Sequence, residues 1–221
     1  GRYLTGLGNN LDFVARWFDF DLPASAAMTA AYDAYWVTNA GTGATAFAAS
    51  ATQAAGGTIQ ATTGTNGTAA NQDVNLYGPI LYAGDNNVLL IVRMKFDAIT
   101  ALQYEVGWID TITTITTPVP AFPDIDTPTT PTGLGDAAVI KMDTSQTLAT
   151  SALCCLGSGA LNAGSTTTPA TAFTPTAATY HEFRIGIVGN NVIASIDRQA
   201  RYTMGKADGI KGGTLIRPWI Y

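Results

Sequence analysis

In the run from Val88 to Phe96, apolar and polar side chains alternate from Val92 onward, with Val92, Met94 and Phe96 on one face of an extended chain and Arg93 and Lys95 on the other. That period of two predicts a strand with one buried face. Leu102–Asp110 reads the same way, Tyr104, Val106 and Trp108 alternating with Gln103, Glu105 and Gly107. So does Asp136–Asp143, where Ala138, Ile140 and Met142 oppose Val139 and Lys141, with Ser151–Leu156 as its candidate neighbour. His181–Val188 and Val192–Asp197, joined by Gly189-Asn190-Asn191, predict a hairpin that turns Phe183, Ile185 and Ile187 inward. The short link Asp97–Ala101 predicts that the strands it joins are antiparallel neighbours.

Turn signals such as Gly84-Asp85-Asn86-Asn87 separate these segments, and Thr, Val, Ile, Tyr and Phe fill them. Many short strands with regular punctuation predict a single all-β sandwich or barrel. Three stretches depart from the pattern. Residues 1–35 read as an N-terminal arm ahead of a sandwich over 36–221; Leu11, Phe13, Val14, Trp17, Phe18 and Phe20 crowd there, and Ala24–Tyr35, with Ser25 as a candidate N-cap, is a candidate short helix. Such an arm either tucks under the sandwich or docks on a partner. Gly41–Asn71 is poor in packing side chains, and Gly56-Gly57 ahead of Thr58–Thr62 marks an edge hairpin region. Residues 113–135 form a proline-rich insertion holding five of the ten prolines, read either as a flexible surface excursion or as an arm ordered against a neighbouring subunit.

Composition narrows the function. The chain is 47% hydrophobic and 12% charged, where soluble domains carry about 25% charged residues. Its net charge of −5 and the lack of any basic run argue against nucleic-acid binding. No apolar run approaches the roughly 20 residues of a membrane helix, and no basic segment leads into an apolar one at the N-terminus, so neither a membrane span nor a signal peptide is expected. Cys154 and Cys155 are adjacent, a spacing that strains a disulfide, and read as small buried residues.

Reactive groups are scarce: one histidine, His181, and two glutamates, Glu105 and Glu182. His181 at a strand start reads as a hydrogen-bonded structural residue. The pairs Asp19/Asp21 and Asp124/Asp126 share a strand face but include no glutamate; calcium at the second pair is chemically reasonable, although an exposed solvated loop explains it better. No dinucleotide, phosphate-loop or metalloprotease motif occurs. The expectation is therefore no catalytic, cofactor-binding or metal-ligating residue, no cofactor, and a non-enzymatic chain. Trp36, Tyr77, Trp108 and Trp219 are core residues or, in the alternative, an exposed platform on which sugars stack.

Thr179-Tyr180-His181-Glu182-Phe183-Arg184-Ile185-Gly186-Ile187, the turn 189–191 and Val192–Asp197 together resemble the strand, turn and return strand of concanavalin A-like and laminin G-like β-sandwiches. Gly56-Gly57-Thr58-Ile59-Gln60, Val88–Phe96 and Tyr104–Asp110 are similar in kind to strands that precede that hairpin in the same families. The order also resembles virion proteins of tailed bacteriophages that decorate heads or build tails and fibres, over about Ala46–Tyr221. The resemblance implies a jelly-roll sandwich. The Glu-x-Asp-x-x-Glu strand of laminarinase-type glucanases is missing, and the Asp/Asn metal cluster of legume lectins has no counterpart.

The same resemblance implies a structural virion protein on a capsid or tail surface, a homo-oligomer whose partners are the major capsid protein or other virion proteins. Candidate contacts are Phe13, Trp17 and Phe18 in the arm and Pro118, Pro120, Phe122 and Pro123 in the proline-rich loop. The alternative is a lectin-like module that holds a glycan on Trp36, Tyr77 or Trp108. No nucleic acid or membrane is expected as a partner.

Overall fold

Phe183 lies between Val92 on one neighbouring strand and Ile196 on the other, at the centre of a four-stranded antiparallel sheet in the computed structural model. The structure describes residues 2–5, 14–17, 36–41, 44–49, 59–63, 73–78, 82–83, 87–110, 120–122, 135–145, 150–157, 166–167, 172–189, 191–205, 210 and 214–221. Among them are sixteen strands and no helix. In chain order the strands are β1 (Arg2–Thr5), β2 (Val14–Trp17), β3 (Val37–Ala40), β4 (Thr45–Ala49), β5 (Ile59–Thr62), β6 (Val74–Tyr77), β7 (Tyr82–Ala83) and β8 (Val88–Lys95), followed by β9 (Gln103–Ile109), β10 (Ala137–Asp143), β11 (Ala152–Leu156), β12 (Thr166–Thr167), β13 (Tyr180–Val188), β14 (Asn191–Ile196), β15 (Ala200–Gly205) and β16 (Leu215–Ile220).

The smaller sheet has the order β15-β14-β13-β8, and the larger runs β12-β11-β10-β9-β16-β6-β3 with β7 paired to the start of β16. β1–β2 and β4–β5 are separate two-stranded ribbons. The fold is an all-β, jelly-roll-like sandwich. The predicted strands form, and the predicted β13–β14 hairpin keeps its inward face: Phe183, Ile185 and Ile187 are buried. β8 and β9 lie in different sheets instead of pairing with each other, because Asp97–Ala101 crosses from one layer to the other. The candidate helix over Ala24–Tyr35 and the pairs Asp19/Asp21 and Asp124/Asp126 lie outside the described residues.

Side chains from facing strands fill the space between the sheets. Tyr104, Val106 and Trp108 of β9 and Ile140 of β10 meet Phe183, Ile185 and Ile187 of β13 and Ile196 of β14. Tyr104 stacks on Phe96 with ring centroids 5.0 Å apart and meets Phe183 edge-on at 5.4 Å, arrangements that favour aromatic rings. The polar atoms that enter this core find partners. The Tyr104 hydroxyl lies 2.5 Å from Ser151 Oγ, and the Tyr202 hydroxyl donates to the Ser151 carbonyl at 3.4 Å.

The larger sheet departs from the one-face pattern, since β10 and β11 are buried on both sides. A second apolar cluster, including Ile109, Val139, Cys154, Trp219, Ala121 and Phe122, covers its outer face. The two cysteines are buried as expected, and the alternation of β11 sends Cys155 toward the inter-sheet core and Cys154 toward the second cluster.

Candidate functional site

Among the described residues, the outer face of the larger sheet carries the most concentrated buried polar chemistry, and the 120–122 segment closes it. Glu105, fully buried on β9, accepts hydrogen bonds from the main-chain N–H groups of Ala121 at 2.6 Å and Phe122 at 2.8 Å. The Trp219 indole N–H donates to the same carboxylate at 3.0 Å, and Lys141 Nζ, its cross-strand neighbour on β10, lies 3.5 Å away. A buried carboxylate tolerates such a place only when its lone pairs are met by donors and its charge by a cation, and both conditions are satisfied here. Gly107 makes the face flat enough for this packing, because a Cβ there would come within 2.7 Å of Val139 Cα. Tyr77, Trp219 and Tyr221 form a row along the face, the last two stacked at 6.2 Å.

Most of the residues singled out from sequence have a definite place. Trp36, Tyr77 and Trp108 are 6%, 4% and 3% exposed, which corrects the glycan-platform expectation. Trp108 points between the sheets, and Tyr77 lies beneath Arg217, whose guanidinium sits 5.3 Å above its ring. Phe122 is 1% exposed, so it is corrected from a partner contact to part of the second cluster. Pro120 is half-buried beside it, and Trp17 is on β2. Phe13, Phe18, Pro118 and Pro123 lie outside the described residues. His181 has both ring nitrogens committed: Nε2 accepts from the Thr176 N–H at 2.9 Å, which leaves the proton on Nδ1 to be donated to Asp197 Oδ2 at 2.6 Å.

The outer face of the smaller sheet was not singled out from the sequence. Its strand register sets up rows of side chains. Val188 stands at one end; Leu89, Gly186 and Ile193 form the next row, then Ile91, Arg184, Ser195 and Arg201. Arg93 and Glu182 come next, then Lys95 and Tyr180. One half of the face is therefore apolar and exposed, with Leu89 at 52%, Ile91 at 47%, Val188 at 44% and Ile193 at 40%. The other half is ionic. There Arg93, Tyr180, Glu182, Asp197 and Arg198 line an open groove of about 330 Å³.

Short contacts shape the groove. The Arg93 guanidinium lies 4.8 Å above the Tyr180 ring. Arg184 Nε donates to Glu182 Oε1 at 2.7 Å and Arg198 Nε to the same oxygen at 3.5 Å. The bond from Arg184, with Arg198 beside it, holds the Glu182 carboxyl below the ordinary carboxylate range. Asp197 Oδ1 accepts from the Glu182 N–H at 2.8 Å while Oδ2 takes His181. Asp197 and Arg198 both have positive φ, 50° and 60°, the left-handed pair that a tight hairpin turn between β14 and β15 demands. Asp tolerates that region, whereas Arg is strained in it.

No protein-family model matches the chain, and no curated protein matches it in sequence. Among solved structures it is similar to a β-1,3-glucanase from Mycobacterium marinum, with 11% identity and a TM-score of 0.49 over 91% of this chain and 84% of that one. The likeness is one of overall fold alone. The expectation of a non-enzymatic chain is withdrawn, the similar structure being that of an enzyme. Nothing in the comparisons ties the chain to bacteriophage virions. Among the described residues no group of three or more His, Cys, Asp or Glu side chains is arranged to hold a metal ion.

Proposed function

We propose that this chain is an adhesive module that binds protein through the outer face of its four-stranded sheet, and that it decorates or cements a virion surface by many repeated contacts. One observation carries the reading: Leu89, Ile91, Val188 and Ile193 stand exposed side by side on three adjoining strands. Isolated exposed apolar residues are ordinary, but a contiguous apolar patch rimmed by charge is a mark of protein interaction surfaces. The burial of Trp36, Tyr77 and Trp108 supports protein over glycan as the partner, since no sugar-stacking face remains at those positions. Weak contacts suffice where symmetry repeats them, since linked binding events add to an avidity far above any single affinity.

The test is co-sedimentation with empty tailed-phage capsids and, separately, with a panel of polysaccharides, using the native chain and a Leu89→Asp/Ile193→Asp variant. Each buried apolar side chain contributes about 1.5–3 kcal/mol, so the variant is expected to lose capsid binding by at least tenfold while keeping its β-sheet circular dichroism. Retention on a polysaccharide without capsid binding, or capsid binding indifferent to the variant, would overturn the reading.

A further inference from the structure

Resting on that protein-binding reading, we infer that the partner is acidic: the occupant of this face is an extended protein segment that sets a carboxylate on Arg93 and Arg198 in the groove and an apolar side chain on Gly186 between Leu89 and Ile193.

Charge is the first argument. In a chain of net charge −5, five of the eleven Lys and Arg residues, Arg93, Lys95, Arg184, Arg198 and Arg201, lie on or beside this one face. The carboxylates among them are Asp97, Glu182 and Asp197, and each is engaged within the chain. Asp97 pairs with Lys95 at 3.4 Å, Glu182 with two arginines, and Asp197 with His181 and a main-chain N–H. Arg93 makes no ion pair among the described residues; its guanidinium lies over the Tyr180 ring, and a guanidinium presents paired N–H donors that suit a two-point contact to a carboxylate. A second copy docked face to face would set these cations against their own kind, so a like face is the wrong occupant.

Backbone strain is the second argument. A turn with two positive φ values is served best by Asn-Gly, yet Arg198 occupies its second position, at φ 60°. The strained backbone delivers the guanidinium to the groove and to Glu182.

Spacing supplies the third. Glu182 and Gly186 are four residues apart on β13, about 13 Å at the rise of an extended strand. Gly186 leaves a shallow floor whose missing Cβ would sit 3.3 Å from Leu89 Cδ1 and 3.7 Å from Ile193 Cγ1. A partner strand with an acidic residue and an apolar residue four positions apart spans both halves.

The experiment immobilises the full chain and flows over it an extended synthetic peptide with Glu and Leu four residues apart, the same peptide with Gln for Glu, and polygalacturonate, at low and at physiological salt. Saturable binding of the Glu peptide is expected, weakened by salt, with a tenfold or greater loss for the Gln peptide and for Arg93→Gln. Arg93→Lys should bind at an intermediate level, and Arg198→Gly should bind less while folding at least as well. Equal binding of the two peptides, or no effect of Arg93→Gln, would overturn the acidic partner; a loss with Leu89→Asp would still leave the protein-binding face standing. Binding of polygalacturonate alone would make the occupant a glycan, and an oligomer of the free chain that Arg93→Gln dissolves would make it a second copy. Either result overturns the inference.

Discussion

The indole N–H of Trp108, on β9 of the larger sheet, donates to the main-chain carbonyl of Ile185, on β13 of the smaller one, at 3.1 Å. It is a side-chain bond that ties one layer of the sandwich to the backbone of the other, and with the Tyr202 hydroxyl on the Ser151 carbonyl it is one of the polar links in a core joined mainly by apolar contact. Trp108→Phe removes the donor and leaves a small gap, while the Ile185 carbonyl keeps its place in a strand paired on both sides. A net hydrogen bond contributes about 0.5–1.5 kcal/mol, so the urea midpoint of the variant should fall by a matching amount at unchanged slope. An unchanged midpoint would show that the bond contributes nothing to holding the layers together.

The direction of Trp108 was already legible in the chain, because it shares its phase with Tyr104 and Val106, and a strand sends alternate residues to one face. Treating it as a sugar platform ignored that phase. The strands themselves were readable for the same reason, and the β13–β14 pairing followed from its turn residues. The closing of Glu105 was not readable. Its partners Ala121 and Phe122 come from a proline-rich segment 16 and 17 residues away, and no local periodicity links a carboxylate to main-chain N–H groups at that distance. The exposed patch was hidden differently: Val88–Val92 is apolar at every position, so a period of two could not separate inward Leu90 from outward Leu89 and Ile91. Asp197 was read as the end of a strand, and Asp-Arg lacks the Asn-Gly signature that would have announced the left-handed turn it begins.

Glu105 and Lys141 form a pair that is costly to break singly. Glu105→Gln keeps the shape but leaves the Lys141 ammonium buried beside a neutral amide and weakens the bonds from Ala121, Phe122 and Trp219. Removing one partner of a buried ion pair costs about 3–5 kcal/mol, and the main-chain N–H groups of Ala121 and Phe122 should exchange with deuterium much faster. The double variant Glu105→Gln/Lys141→Met should recover part of the loss, as a neutral pair no longer strands a charge. A single variant as stable as the parent, with Ala121 and Phe122 still protected, would show that the carboxylate does not hold this segment to the sheet.

Alkaline stability rests on three tyrosines. Burial pushes the Tyr104, Tyr202 and Tyr221 hydroxyls above the ordinary tyrosine range, with the Asp73 carboxylate adding to the effect at Tyr221. In the folded chain these groups keep protons that the unfolded chain releases near pH 10. Folding stability from them is thus complete below about pH 10 and drains away as pH rises further, because the unfolded state then binds fewer protons than the native one. Absorbance at alkaline pH followed alongside circular dichroism should show Tyr104, Tyr202 and Tyr221 ionising only in step with loss of sheet structure. A single smooth titration of all nine tyrosines near pH 10 with the dichroism intact would mean that these hydroxyls are open to solvent, and that the Tyr104–Ser151–Tyr202 contacts do not bind the two sheets.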